Sequence, residues 1–346
     1  MRNKHRAGLV VFWSLVGVLI LGVAWFGFVK YSYRQEMKEL RAKVGAAQHG
    51  QVAEINIVAL IIDGAGRRDV WEISGAENIF DLTKYGAYTW NAETVLPSWT
   101  VTALISLATG LTPAKHGIMS NQVDIKDMGN WPAVSRYLSG KTKTVSDYAK
   151  ASGLKVVVVT EENHETKSRV NRFLTRNVDE VRAVSGEGQA VLKEATKFLI
   201  DPASIILGIH VPDIDKAGHR FGWGSSEQLE VTAEFDLALG EFFRALRKSP
   251  KRHNTYFIIT ADHGGHDRVH GTDTSEDMTI PWIIIGPSIK RDYAIKDPIK
   301  IYDTAATVLF LLGLDVPPDW DGQPVYDAFY HDFVRDFFMR LAPSSP

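Results

Sequence analysis

The run EINIVALIID, residues 54–63, constrains this chain more than any other stretch. It is a continuous apolar run without alternation, the pattern of a strand buried on both faces of a parallel sheet. It stops on a carboxylate, Asp63, followed by Gly64. Similar runs follow at LKVVVVT (154–160), SIILGIH (204–210), TYFIIT (255–260) and IPWIIIG (280–286). Helical patterns separate them, notably residues 225–249, where Leu229, Phe235, Phe242 and Leu246 fall near one stripe. Strands alternating with helices predict an α/β fold, a mostly parallel central sheet with helices on both faces. In such sheets ligands sit outside the carboxyl ends of the strands. The residues just after each run are therefore where chemistry is expected.

The richest of these ends is ITADHGGHDRVHGTD, residues 259–273. Asp262, His263, His266 and His270 arrive together, interleaved with Gly264, Gly265 and Gly271. Carboxylate and imidazole suit a borderline divalent cation, zinc first and manganese second. A second end, VPDIDKAGHRFGWGS, supplies Asp215 and His219, with Asp213 competing for the carboxylate role. A lone loop histidine is commonly just solvated. Asp/His ends on several strands favour ligation instead.

The stretch LPSWTVTALISLATGLTPAKHGIMSN, residues 96–121, reads as a helix from Thr100 to Thr109, stopped by Gly110 and left at Pro113. Thr100 stands at its N-terminus, where free N–H groups and the helix dipole favour an anion. Ser98 and Thr102 are rival hydroxyls, and periodicity does not choose among the three. Asn121 closes the stretch, and by itself reads as a cap between helix and loop.

The chain has no cysteine among its 346 residues. Disulfides, thiolate ligands and a cysteine nucleophile are excluded, so any metal site is built from Asp, Glu, His and hydroxyls. A net charge of -2 gives no reason to expect specific nucleic-acid binding. The amino terminus is different material. Arg2, Lys4 and Arg6 precede an uncharged run from Ala7 to Val29. As a helix this run rises about 35 Å, enough to cross a hydrocarbon core of about 30 Å with some tilt. Residues 1–30 are therefore expected to be a single transmembrane anchor and 31–50 a juxtamembrane stalk. Residues 51–346 are expected to be one catalytic domain. With six residues before the span, the body is expected on the periplasmic or otherwise extracytoplasmic side.

Taken together, these pieces resemble the alkaline phosphatase superfamily, in particular its type I phosphodiesterase/nucleotide pyrophosphatase and phosphonoacetate hydrolase branches. LIID ends on Asp63, and TGLTPAKHGI matches a TG-x-x-P-x-x-HGI signature. A threonine stands ten residues before the glycine of that signature, which selects Thr100, and Asn121 lies twenty-one residues after it. DKAGH carries Asp215 and His219, TADHGG carries Asp262 and His263, and the late HG is best matched by His270-Gly271. The ending IYDTAATVLFLLGLDVPPDWDGQPV resembles the family's closing helix and DG turn.

The resemblance implies a three-layer alkaline-phosphatase-like fold and two divalent metal ions, most readily Zn2+, with Mn2+ as the second choice. One ion would be held by Asp215, His219 and His270, the other by Asp63, Asp262, His263 and the Thr100 oxygen. Thr100 would be the nucleophile, forming a phospho-threonine intermediate, and Asn121 would donate to a non-bridging oxygen of the substrate. Substrates would be phosphate esters, with a small molecule, a lipid or a nucleotide as the carrier. Two departures bear on nucleotides: His270 follows His263 by only seven residues, and Val101, not an aromatic, follows Thr100. Trp99, Trp223 and Trp90 are candidates for an aromatic wall, and residues 160–182 for a lid presenting Arg169 and Arg172. Two alternatives remain at this point, a transferase of phosphoethanolamine-like head groups and an inactive relative kept as a binding scaffold.

Overall fold

The computed structural model describes residues 55–121, 136–137, 139–162, 175–200, 203 and 205–334. The expected anchor and stalk lie outside the described residues, as do Arg169 and Arg172. Among the described residues no helix is long and apolar enough to cross a membrane.

The chain begins with β1 (Asn56–Ile62), α1 (Arg68–Ser74), α2 (Glu77–Thr83), β2 (Gly86–Glu93), α3 (Thr100–Thr109) and α4 (Pro113–His116). It continues through α5 (Val145–Ala151), β3 (Lys155–Glu161), β4 (Glu180–Val184), α6 (Gly188–Thr196) and β5 (Ile205–Val211). Next come α7 (Asp213–Phe221), α8 (Ser226–Lys248), β6 (Thr255–Ala261) and α9 (Ser275–Met278). After these come β7 (Thr279–Ile285), β8 (Tyr293–Ala294) and α10 (Asp303–Leu311).

Among the described residues, all eight strands join one sheet in the order β4-β3-β5-β1-β6-β7-β2-β8. From β4 to β6 every pairing is parallel, while β7 runs antiparallel to both β6 and β2. The sheet is thus mixed but mostly parallel, as the alternation of runs and helices implies. Every residue of β6 is buried, and β1 is buried at all but one position. Strands without an exposed face require cover on both sides. The helices supply it in two groups: α8 packs against α1, α2, α6 and α7, while α10 packs against α3 and α5. On α8 the expected stripe buries Phe235, Phe242 and Leu246.

Among the strands, β2, β4 and the two-residue β8 escaped the sequence reading. β2 contains polar Asn91 and Glu93 and is only partly buried, so it lacks the apolar signal of the central strands. β4 is the end of the stretch expected to be a lid. Glu180–Val184 instead pairs in parallel with β3 at the sheet edge, with three of its five side chains exposed. An edge strand needs no apolar run, because one flank and much of its surface meet water.

The feature that positions the site is the order β5-β1-β6. Ile62 lies in register with Val211 on one side and with Ala261 on the other. The three strands therefore end level.

Candidate metal centre

Because β5, β1 and β6 are neighbours, the three candidate carboxylates emerge side by side. Asp63 continues β1, its N–H still donating to the Val211 carbonyl at 2.9 Å. Asp262 follows β6 and is completely buried. Its Oδ1 accepts N–H bonds from Gly64 at 3.1 Å and His263 at 2.9 Å. Asp215 lies in the first turn of α7 and His219 in its last. Four residues apart, they share one face of the helix. Asp213 is turned elsewhere, its carboxylate accepting the Gly188 N–H.

The chain after β6 must double back for His270 to return to the site. His266 and Val269 exchange two backbone hydrogen bonds, at 3.0 and 2.9 Å, and so close a tight turn. The His270 ring then lies flat on His263, with centroids 3.7 Å apart and planes 11° from parallel. His266 points away, its Nδ1 2.8 Å from Asp277 Oδ1. Of the two competing histidines, the turn brings His270 to the carboxylates and leaves His266 as a loop staple.

Two groups of candidate ligands result. Asp63, Asp262 and His263 form one; Asp215, His219 and His270 form the other, with ligand atoms in each group within 4.8 Å of one another. In the first, His263 Nε2 lies 3.2 Å from Asp63 Oδ1 and 3.4 Å from Asp262 Oδ2. In the second, Asp215 Oδ1 lies 3.5 Å from His219 Nε2 and 3.7 Å from His270 Nε2.

The donor set fits a pair of divalent cations on two counts. Asp63 Oδ1, Asp215 Oδ1 and Asp262 Oδ2 are buried and have no hydrogen-bond partner. These are the same oxygens that converge on the imidazoles, and buried carboxylate oxygens left unpaired are costly unless a cation meets them. In addition, each histidine places Nδ1 against a backbone carbonyl: His263 on Gly264 O at 2.7 Å, His270 on Ser98 O at 2.8 Å, His219 on Arg268 O at 2.9 Å. A carbonyl can only accept, so Nδ1 carries the proton and Nε2 offers its lone pair inward. This is how hydrogen bonds on the far side of the ring orient metal-binding histidines.

Electrostatics agree. Burial, reinforced by the Asp63 charge, pushes the carboxyls of Asp215 and Asp262 well above the usual range. Burial works against His263, but the charges of Asp262 and Asp63 outweigh it and raise its pKa. Asp63 is held below the carboxylate range: burial acts upward, and the neighbouring imidazoles of His210 and His263 overcome it. Burial, aided by the charge of His263, lowers His270 to about 3, which keeps it neutral. Three crowded carboxylates of this kind call for positive charge.

The N-terminus of α3 faces the first group. Thr100 Oγ1 lies 3.1 Å from His263 Nε2. Of its rivals, the Ser98 hydroxyl donates to Thr272 O at 2.8 Å, and the Thr102 hydroxyl is wholly buried without a partner. Asn121 Oδ1 accepts the Val101 N–H at 2.9 Å, which sets the side chain beside the first turn of α3. The histidine of TGLTPAKHGI is a strut. Its Nδ1 accepts the Ile118 N–H at 3.1 Å, so its Nε2 carries the proton and donates to Ser106 Oγ at 2.9 Å. His116 thereby ties α3 to the loop that carries Asn121.

Trp223 is a buried wedge among the ligand loops. Its indole N–H donates to Gly64 O at 2.9 Å. A Cβ on Gly218 or on Gly265 would come within 2.6 or 2.3 Å of the indole, so both α7 and the loop after β6 need glycine to approach it. Trp90 is also buried, against Phe80 at 4.9 Å. Trp99 is half-buried and meets His270 edge-on at 5.0 Å. One residue beside the cluster was missed from the sequence: His210, 3.3 Å from Asp63 Oδ2 through Nε2. The available signal was a lone titratable side chain inside the apolar strand IILGIHV.

The profile of the type I phosphodiesterase/nucleotide pyrophosphatase family matches residues 57–277. The chain belongs to this family. It is accordingly a member of the alkaline phosphatase superfamily, and the sheet described above is its version of that fold. An uncharacterized pyrophosphatase/phosphodiesterase of Schizosaccharomyces pombe is 23% identical over 273 residues, 75% of this chain and 54% of that protein. Arylsulfatase K of Mus musculus is 30% identical over 97 residues, 27% of this chain and 18% of its own length. The first curated relatives are matched over only 10 to 22% of their own length. Among solved structures, murine ectonucleotide pyrophosphatase/phosphodiesterase 5, an inactive variant in complex with AMP, superposes with a TM-score of 0.64 at 15% identity. That superposition covers 80% of this chain and 100% of the murine one, and it shows the shared fold.

Proposed function

We propose that the chain hydrolyses phosphate esters, of phosphodiester or nucleotide pyrophosphate type, through a phospho-threonine intermediate on Thr100. Asp63, Asp262, His263 and the Thr100 oxygen would hold one divalent cation, and Asp215, His219 and His270 the other, with zinc first and manganese second. The observation that carries this reading is Thr100 Oγ1, 3.1 Å from His263 Nε2 at the start of a helix.

When bound, the cations supply Lewis acidity, favouring loss of a proton from a hydroxyl or a water and balancing phosphoryl charge. The protein's own groups do the rest. Thr100 Oγ attacks phosphorus in line as the bond to the leaving oxygen breaks, and water then cleaves the phospho-threonine and returns the hydroxyl. The N-terminus of α3 favours the anionic group at this position. Asn121, held through Oδ1 by Val101 N–H, presents Nδ2 as a donor to a non-bridging oxygen, where charge builds in the transition state. His263 keeps its Nδ1 proton on Gly264 O throughout, which fixes the ring.

The relatives named for pyrophosphatase and phosphodiesterase activity support phosphoesters, and AMP in the murine neighbour makes nucleotides the first carriers to try. Val101 is buried and offers no stacking face, so base recognition would fall to Trp99. The uncharged run 7–29 supports a body tethered outside the cytoplasm, and lipid-linked phosphoesters are then within reach.

The test is a panel of aryl phosphate monoesters, diesters and sulfates with zinc-loaded protein. Diester turnover ahead of the others is expected; turnover of sulfate esters alone overturns the proposal. Transfer of a head group from a phospholipid donor to an acceptor, in place of hydrolysis, would reassign the chain as a phosphotransferase. Absence of bound metal and of turnover would leave a scaffold.

A further inference from the structure

His210 stands where its strand calls for a hydrocarbon. β5 reads IILGIHV, and the histidine is 3% exposed, its Nδ1 without a hydrogen-bond partner. Such a group destabilises a core, so its presence there points to a task beyond packing. Ile61 of β1 is its register partner, which puts His210 on the same face of the sheet as Asp63, two residues further along. His210 Nε2 lies 3.3 Å from Asp63 Oδ2, while Asp63 Oδ1 faces His263 Nε2 at 3.2 Å. One carboxylate thus stands between two imidazoles, one inside the ligand group and one outside it. On the other flank Thr160 of β3 pairs with His210, and its hydroxyl too is buried without a partner.

We propose that His210 is a positioning residue, whose Nε2–H holds Asp63 Oδ2 so that Oδ1 is presented to the cation shared with Asp262 and His263. The inference rests on the two-cation reading above. A carboxylate pinned at one oxygen no longer turns about its Cβ–Cγ bond, and its other oxygen keeps one direction. Ligating carboxylates are commonly oriented by such outer partners, and losing one weakens metal affinity.

The test compares the full-length wild type with His210→Phe, His210→Gln and His210→Asn by zinc titration against a chromophoric chelator. The glutamine amide nitrogen reaches the place of Nε2, whereas that of asparagine reaches only the place of Nδ1. In the Phe and Asn variants, zinc at one of two sites is expected to bind about 10- to 100-fold more weakly. The Gln variant is expected to stay close to wild type, and the second site to be unchanged in all. Space-filling alone would instead rank Phe with wild type and Gln no better than Asn. Two undiminished sites in every variant overturn the inference and leave the two-cation reading standing; a wild type that binds no zinc overturns both. If the Phe variant fails to fold, equal affinity in the Gln and Asn variants overturns the inference.

Discussion

The imidazoles of His263 and His270 lie face to face, 3.7 Å between centroids, although they belong to different ligand groups. The two groups share a wall. His270→Ala is therefore expected to abolish zinc binding at one site and to weaken the other, because His263 loses the ring it rests on. Metal analysis after dialysis, followed by titration of what remains, gives both numbers. An untouched second site would show the groups to be independent.

Removal of the metals should stop turnover and lower the melting temperature, since ions that bind only the folded chain stabilise it by mass action. Zinc should restore both. Because burial and mutual charge raise Asp215 and Asp262, zinc must displace protons from the cluster. Apparent zinc affinity should then fall as the medium is acidified, with net proton release on binding. Calorimetry in buffers of different ionisation enthalpy measures that release, and its absence would contradict the crowded-carboxylate picture.

Thr100→Ala should abolish turnover of aryl phosphate esters while both metals largely persist, because three protein side chains remain in each ligand group. Wild-type enzyme trapped by acid quench should carry phosphate on Thr100. Residual turnover in a clean Thr100→Ala preparation would remove this residue from the mechanism.

Asn121→Ala should separate its two contacts. Loss of a transition-state donor typically lowers kcat about 10²- to 10³-fold. Loss of the contact to Val101 N–H should destabilise the protein by about 1 kcal/mol, the usual cost of a helix cap. Metal content should not change. A fall in stability with kcat intact would leave Asn121 as a cap alone.

His116 gives a prediction about pH. Burial lowers its pKa from 6.5 to about 4, so the folded protein holds it neutral where the unfolded chain would protonate it. Between those values the unfolded state binds more protons, and stability falls as pH falls. The interval corresponds to at most about 3 kcal/mol. Burial acts oppositely on Asp213 and Asp303, each pushed up to about 6, so the wild-type curve alone mixes the effects. The difference between wild type and His116→Asn removes them. That difference should be flat above pH 7 and move against the wild type from pH 6.5 down to 4. A pH-independent difference would refute the assignment.

Much of this site is legible in the sequence because strand ends are legible. β1, β5 and β6 are apolar runs, and the polar residues that follow them have no place in a core. What the sequence leaves open is decided by pairing. The order β5-β1-β6 brings Asp63, Asp215 and Asp262 together, and no local pattern encodes that order. The choice between His266 and His270 depends on the turn at His266–Val269, where two backbone hydrogen bonds reverse the chain. His210 went unread because one polar residue inside an apolar run does not change its period. The role of His116 is likewise invisible without its partners, since a histidine beside a glycine gives no sign of which nitrogen accepts.

Trp223 bridges segments that are far apart in the chain, holding α7 at Gly218 against the Gly64 carbonyl and Gly265. A single flat ring therefore sets the spacing among segments that could otherwise drift separately over evolution. A descendant that lengthens one of these segments must leave the thickness of that partition unchanged, or the ligand pairs fall out of reach of one another. Novelty in this chain is thus easier to gain at the outer rim of the cleft than at its floor.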